Sequence, residues 1–543
     1  MTHSRHNRNY LHGAAILAAA VVIVRVIGAV YRIPMAIILG DEGNSPFAVA
    51  HSIYQFLLIV STAGLPVALS KMVASADAMG RPRQVRRVFV VGRNTFVILG
   101  AVSFLIMAGL HRQLADLFGS PSAAYGILAL SPAVFLVGLI SAYRGYCQGL
   151  SDMVPTSVSQ VLEAFARLVI GIGLAWILAS RGFSVPITAA GAIFGVTAGT
   201  GIAAAYLFFA KRRVDRRHHV ADTLDTPDSN RRIFQNLKDI AIPLTLGSSI
   251  LSLMTIVNNA VILRRLQFAV GLPYAETQSL HGTFSMALPL FHLPSAFVIP
   301  ITVALIPAIS GLLAQGDQLG AKKNSESGIR ITCLLALPAG AGLTVLAGPI
   351  MDVIYYGRFN AEYGAGLLAW LGIAVFFICF FQVTNCVLQA YGFQRYTLYT
   401  LPIGGAISVG LTWLLIADPR FLIYGAAIGI LVCYVVISAM NVVLVKRSIP
   451  DPPSFLRAVT RPLLCTLVMA ATAWASYGLI SGVVANVLGD VSGRLPIAIS
   501  LTGAIGIAML VYLVLIIATR ALTKEDMHML PKGEKLAKVL RVR

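Results

Sequence analysis

The sequence predicts an all-α polytopic membrane protein of fourteen transmembrane helices, in two six-helix lobes related by an internal parallel repeat, plus two extra C-terminal helices. Three observations carry that prediction. Apolar residues make up 57% of the 543 residues and charged residues only 12%, with a mean hydropathy of +0.80, far from the soluble norm. The apolar residues gather in fourteen spans, at 11–39, 47–72, 88–110, 122–143, 156–180, 185–210, 237–266, 278–312, 328–351, 364–390, 396–417, 421–445, 458–482 and 494–519. Basic residues concentrate in every second connection: RPRQVRR (81–87), KRRVDRR (211–217), Lys322 and Lys323, Lys446 and Arg447, and the tail from Arg520. By the positive-inside rule those connections and both termini face the cytoplasm.

The same distribution excludes other classes. A formal charge of +20 would suit nucleic acid, but there is no aromatic-interleaved basic patch and no soluble domain to hold a duplex. The six cysteines are scattered through or beside apolar spans without a CxxC or a histidine cluster, which argues against a disulfide framework or a metal site. No catalytic or nucleotide-binding motif is present and the outer connections are short, so the chain reads as a transporter rather than an enzyme. It needs no cofactor beyond a coupling ion such as Na+ or H+, and it reads as a monomer.

The first span is the most informative. From Leu11 to Gly40 it would reach about 45 Å as a helix, longer than a hydrocarbon core of roughly 30 Å, with Arg25 near mid-depth. A cation there costs about 2.5–3.5 kcal/mol on insertion scales unless it meets water or a partner. Arg32 lies seven residues on, two turns along the same face. Two cations on one face suggest an anionic ligand. The second span adds His51 and Gln55. The fifth places Thr156, Gln160, Glu163 and Arg167 at helical spacing, and Glu163 with Arg167 reads as an i,i+4 ion pair, structural or coupling.

Connection 211–236 is charged and aperiodic and reads as a cytoplasmic basic linker between the N-terminal lobe (1–210) and the C-terminal lobe (237–446). Span seven carries Thr245, Ser248, Ser252, Thr255 and Asn259 at steps of three or four, either a cavity wall or a packing seam. Span eight holds Pro289, Pro294, Pro300 and Pro307, each removing a ladder hydrogen bond, and reads as bent or hinged. The lobes resemble each other. VALSKMVASADAMG (67–80) parallels VALIPAISGLLAQG (303–316), LADLFG parallels DVIYYG, and Gln148 in YRGYCQG matches Gln389, at offsets of 236, 238 and 241 residues. A repeat of six spans inserts both copies the same way up. Spans thirteen and fourteen, with the tail (447–543), lie outside it.

Beyond these patterns, IRITCLLALPAGAGLTVLAGPIMDVIYYGRF (329–359) is similar to the ninth-helix signature of the lipid II flippase family within the multidrug/oligosaccharidyl-lipid/polysaccharide exporters. Residues 28–74 and 286–310 resemble more specifically the stage V sporulation protein B branch. The resemblance implies alternating access through a V-shaped cavity. It implies a lipid-linked anionic substrate, an undecaprenyl-pyrophosphate-linked sugar or muropeptide, and a groove for the lipid tail made by helices 13 and 14. It matches the first-helix arginines of that family to Arg25 and, with a one-residue shift, to Arg32. Functional arginines in helices 2 and 8 have no counterpart in IVSTAG (59–64) and MALPLFHLPS (286–295), leaving Arg167, Asn259 or His292 to stand in. Candidate substrate-binding residues are therefore Arg25, Arg32, His51, Gln55, Ser252, Thr255 and Asn259. A drug/cation antiporter of the same superfamily is the alternative. It would want free intramembrane carboxylates, and Glu163 is the one acid well inside a span.

Overall fold

Gly40 sets the first departure from the sequence reading. In the computed structural model, which describes residues 2–62, 64–217, 225–488 and 493–522, helix α1 (Thr2–Thr62) takes in the first span and most of the second without a loop. The side chains at 2–15, 18, 22, 25, 29, 61, 217, 243, 244, 246–248, 251, 487 and 488 lie outside that description. Gly40 has φ 64°, which only glycine adopts without strain, and it kinks α1 there. Carbonyls freed by the kink are recaptured. Asn44 Nδ2 donates to the oxygens of Ala36 (3.1 Å) and Gly40 (2.6 Å), so the expected outer loop DEGN is instead the elbow of a helix.

The remaining helices are α2 (Leu65–Ala78), α3 (Pro82–Gly109), α4 (His111–Leu117), α5 (Ala124–Gly149), α6 (Val154–Ser180), α7 (Val185–Arg217) and α8 (Asn230–Phe268). They continue with α9 (Tyr274–Ala314), α10 (Gln318–Val345), α11 (Ala347–Tyr355), α12 (Ala361–Ala390), α13 (Thr397–Leu415), α14 (Tyr424–Ser448), α15 (Phe455–Leu488) and α16 (Arg494–Ala518). Among the described residues twelve stretches are long and apolar enough to cross a membrane, against the fourteen expected. One of the twelve, Ala19–Ala78, merges spans one and two, and α8 is not among them. Span eight is an unbroken helix, α9, through all four prolines.

Contacts divide the chain into two units: Met1–Gln267 with Pro273–Gln278, and Phe268–Leu272 with Ser279–Arg543. Duplication and contact therefore divide the chain at different points, because α8, which heads the second six spans, belongs by contact to the first unit. Within that unit α1 packs on α5, α6 and α7, α3 on α5, α5 on α7, and α6 on α7. The second unit repeats the scheme, with α10 on α12, α12 on α14, and α13 on α14. The extra pair, α15 and α16, packs together, α15 against α10 and α16 against α11.

The repeat extends to single hydrogen bonds. After α2, the amides of Met79, Gly80 and Arg81 donate to Ser75, Asp77 and Ala76. After α9, those of Gln315, Gly316 and Asp317 donate to Gly311, Leu313 and Leu312, each 236 residues on. After α5, Ser151 and Asp152 bond back to Gln148 and Cys147, while Gly392 and Phe393 bond back to Gln389 and Leu388, each 241 residues on. The two copies differ at the left-handed residue, which is Gly392 (φ 86°) in one and Ser151 (φ 60°) in the other. A left-handed L-residue costs about 1–2 kcal/mol, against about 0.4–1 kcal/mol of added unfolded-state entropy for glycine. Ser151→Gly should therefore raise the melting temperature in detergent, and Ser151→Val, β-branched at positive φ, should lower it. The assignment fails if the two substitutions shift it the same way.

The connections after α7 and α14 are pinned alike. Asp225 accepts from the Arg83 and Gln84 amides (3.2 and 3.0 Å), satisfying orphan donors at the start of α3, and Gln84 exchanges two bonds with Asp228. In the second unit Lys322 near the start of α10 donates to Asp451, a bond that raises the lysine pKa, and Glu326 accepts from the Ser454 amide at 2.8 Å. α7 runs into the linker to Arg217, α8 begins at Asn230, and residues 218–224 lie outside the described residues.

Candidate functional site

Two places stand out, one in each unit. The first lies around the aromatic face of α1. Tyr31 is 4% exposed and its hydroxyl donates to the Ala192 carbonyl of α7 at 3.1 Å, which fixes its ring. Phe47 lies 6.5 Å from that ring, and His51 stacks on Phe47 with centroids 6.1 Å apart. Gln55 Nε2 is 3.4 Å from His51 Nε2, one turn on. Two guanidinium groups rest on this aromatic row: Arg32 with Cζ 6.0 Å from the Phe47 centroid, and Arg167 of α6 with Cζ 5.7 Å from that of Tyr31. Cation–π contacts of this kind are worth about 0.5–2 kcal/mol. Three of the expected binding residues, Arg32, His51 and Gln55, are thus brought together. Arg25 lies on α1, but its side chain is outside the described residues.

The ion pair differs from expectation. Glu163 Oε2 accepts from Arg144 of α5 at 2.9 Å, while the same guanidinium's Nε donates to Ser159 at 3.0 Å. The short turn from α5 to α6 brings Arg144 across from Ser159 and Glu163, and its fork serves both. Arg167, the expected partner, turns to Tyr31, and its buried Nε has no hydrogen-bond partner. Arg144 escaped the sequence reading because it sits one residue past an apolar span, where a cation reads as interfacial. Its signal was the repeat, since 241 residues on stands Asn385, beside the matched Gln389.

The polar stripe of α8 divides. Thr245 Oγ1 accepts from the Gly64 amide at 3.1 Å, and a Cβ on Gly64 would lie 2.1 Å from the Ala241 carbonyl, so this end is a packing seam. Ser248 falls outside the described side chains. Asn259 is 9% exposed, between Ile256 and Leu263 on the face that joins the buried cluster of Tyr31, Phe47 and Tyr54. Ser252, a turn before Ile256, is half-buried, whereas Thr255 is exposed.

The second place is an apolar groove of about 1280 Å³ in the second unit, above the usual ~300–1,000 Å³ of a small-molecule site. Its walls come from α9, α10, α15 and α16, among them Pro294, Pro338, Gly342, Met469, Gly506 and Leu513, and Arg520 stands beyond α16 at its edge. Its one lining hydroxyl, on Tyr512, is engaged with the Leu334 carbonyl at 2.9 Å. Helices 13 and 14 of the sequence reading, α15 and α16, therefore do form a groove, with Pro294 contributing to its wall.

Comparison with known proteins agrees with this architecture. A family profile described as polysaccharide biosynthesis protein matches residues 10–313. Stage V sporulation protein B of Bacillus subtilis is 25% identical over 535 residues, covering 96% of this chain and 98% of that one. Lipid II flippase MurJ of Bacillus subtilis is 24% identical over 527 residues, covering 93% and 94%. Among solved structures, an inward closed conformation of the lipid II flippase MurJ aligns with TM-score 0.67 at 14% identity, over 93% of this chain and 99% of that one. An inward-facing multidrug resistance MATE transporter aligns with TM-score 0.65 at 15% identity, over 82% and 98%. The fold is thus that of the multidrug/oligosaccharidyl-lipid/polysaccharide superfamily. With more than half of its length matched by the family profile, this multi-span membrane chain belongs to the polysaccharide biosynthesis protein family.

Proposed function

We propose that the protein flips an undecaprenyl-pyrophosphate-linked cell-wall precursor, lipid II or a similar lipid-linked oligosaccharide, across the bacterial cytoplasmic membrane by alternating access. The observation that carries this is the apolar groove of α9, α10, α15 and α16, a wall suited to a long isoprenoid. A pyrophosphate cannot cross hydrocarbon unaided, and guanidinium groups offer it charge-assisted hydrogen bonds. Arg25 and Arg32, with His51, Gln55, Ser252, Thr255 and Asn259, supply the head-group contacts. Pro289, Pro294 and Pro300 let α9 flex during the cycle. The protein acts as a monomer on a lipid-linked anionic glycan among membrane lipids, coupled to Na+, H+ or the membrane potential. The names of its relatives, a lipid II flippase and a sporulation protein, support this reading. The cation antiporter reading is weakened because Glu163, the acid expected to serve a cation, is held by Arg144.

Reconstitution tests it. Liposomes holding the purified protein and lipid II should expose the precursor to an external lytic enzyme faster than empty liposomes do. Exposure no faster than in empty liposomes for lipid II and other undecaprenyl-pyrophosphate glycans would refute it. Topology is tested separately. Single cysteines at Glu42, Arg358 and Asn486, all exposed, should react with an impermeant maleimide in intact cells, and one at Thr226 should not. Labelling at Thr226 from outside would invert the orientation and take the cytoplasmic termini with it.

A further inference from the structure

The group in the first unit that the reading above leaves unused is Arg167. Its buried Nε has no hydrogen-bond partner among the described residues, and the carboxylate one turn away on its own helix is committed to Arg144. What it does have is a ring. Its Cζ is 5.7 Å from the centroid of Tyr31, which is itself locked to Ala192 of α7. Arg167 is half-buried, and a cation that rests on a ring is less fully compensated than one paired with a carboxylate, because cation–π attraction supplies less. It is also beside a second cation. Arg32 follows Tyr31 in the chain, and the charges of Arg32 and Arg167 both bear on the Tyr31 hydroxyl and on His51. Two guanidinium groups from different helices, set along one aromatic row, repel each other in a medium of low dielectric. An anion held by both would relieve that repulsion.

We propose that Arg167 is a second anion ligand, taking the pyrophosphate of the lipid-linked substrate from the α6 side while Arg32 takes it from α1. This rests on the flippase reading and adds to it a contact from outside the first helix. Tyr31 acts as the platform that aims the guanidinium, and the Arg144–Glu163 pair frees Arg167 by removing its nearest competitor. The planar fork can meet two oxygens of a diphosphate at once, which a lysine ammonium cannot.

The test uses the purified full chain in detergent, with undecaprenyl pyrophosphate and undecaprenol as probes and affinity and ligand-free melting temperature as readouts. The wild type should bind undecaprenyl pyrophosphate more tightly than undecaprenol. Arg167→Gln and Arg167→Met should each weaken undecaprenyl pyrophosphate binding by about tenfold or more, the size of a lost charge-assisted hydrogen bond. Undecaprenol affinity should be unchanged, and the ligand-free melting temperature should fall by no more than the loss of the Tyr31 cation–π contact explains. The methionine variant keeps the stem on Tyr31, so it decides the matter if the glutamine variant is destabilised. Wild-type affinity for undecaprenyl pyrophosphate in Arg167→Met would overturn the assignment while leaving the flippase reading intact. Equal loss for both probes would overturn it as well, by showing a packing defect rather than a phosphate contact. A wild type blind to the pyrophosphate would sink the flippase reading and this inference together.

Discussion

Gly506→Phe should reduce precursor translocation by about fiftyfold while leaving the protein folded. Gly506 and Gly342 both line the apolar groove, and a Cβ built on either meets nothing within 4 Å, so a side chain added there grows into the groove rather than into a neighbour. A phenyl ring that displaces about three methylenes of the isoprenoid costs roughly 2.4 kcal/mol at ~0.8 kcal/mol each, close to a fiftyfold loss of tail affinity. Gly342→Phe, from the α10 wall, should act in the same direction. Gly410→Phe is the matched control: it too has open space, but on α13, away from the groove. Translocation in liposomes, read beside the melting temperature, separates a blocked groove from a damaged fold. Wild-type transport by Gly506→Phe would remove the groove from the mechanism.

The groove also shows how much of the molecule was legible in the sequence. Apolar spans announce themselves because lipid demands an unbroken run of carbon, so most helices were placed, although α3, α8 and α10 begin six to ten residues before the apolar spans that mark them. The repeat was legible because the turn after α2 and that after α9 need the same backbone, and Gly80 and Gly316 mark both. The elbow in α1 was not legible. A glycine followed by Asp, Glu and Asn looks like a loop, and only the structure shows Asn44 returning to the carbonyls of Ala36 and Gly40. Side-chain partnership was harder still. Spacing put Arg167 within reach of Glu163, but a helix offers each residue partners on its neighbours too, and sequence spacing is silent about those. The same limit applied to α8, whose stripe of hydroxyls and amides splits between a seam at Thr245, a buried Asn259 and an exposed Thr255.

That competition for Glu163 yields the sharpest stability prediction. Arg144 and Glu163 are 18% and 24% exposed, so each is largely withdrawn from water and depends on the other. Removing one partner strands a charge, which costs about 3–5 kcal/mol at a fully buried site and about 2–3 kcal/mol here, where some water reaches the survivor. Glu163→Ala and Arg144→Ala should therefore each lower stability by that amount, and Arg144→Ala also leaves Ser159 without its donor. The double variant should cost little more than either single change, because no charge is left stranded. Glu163→Ala combined with Arg167→Ala should instead be additive, since Arg167 leans on Tyr31 and takes nothing from the carboxylate. The two double-mutant cycles, run by denaturant or thermal unfolding in detergent, give opposite expectations for the two arginines. Coupling of Glu163 to Arg167 and not to Arg144 would restore the intrahelical pair that spacing alone suggests, and with it a neutralised Arg167 with no anion to hold.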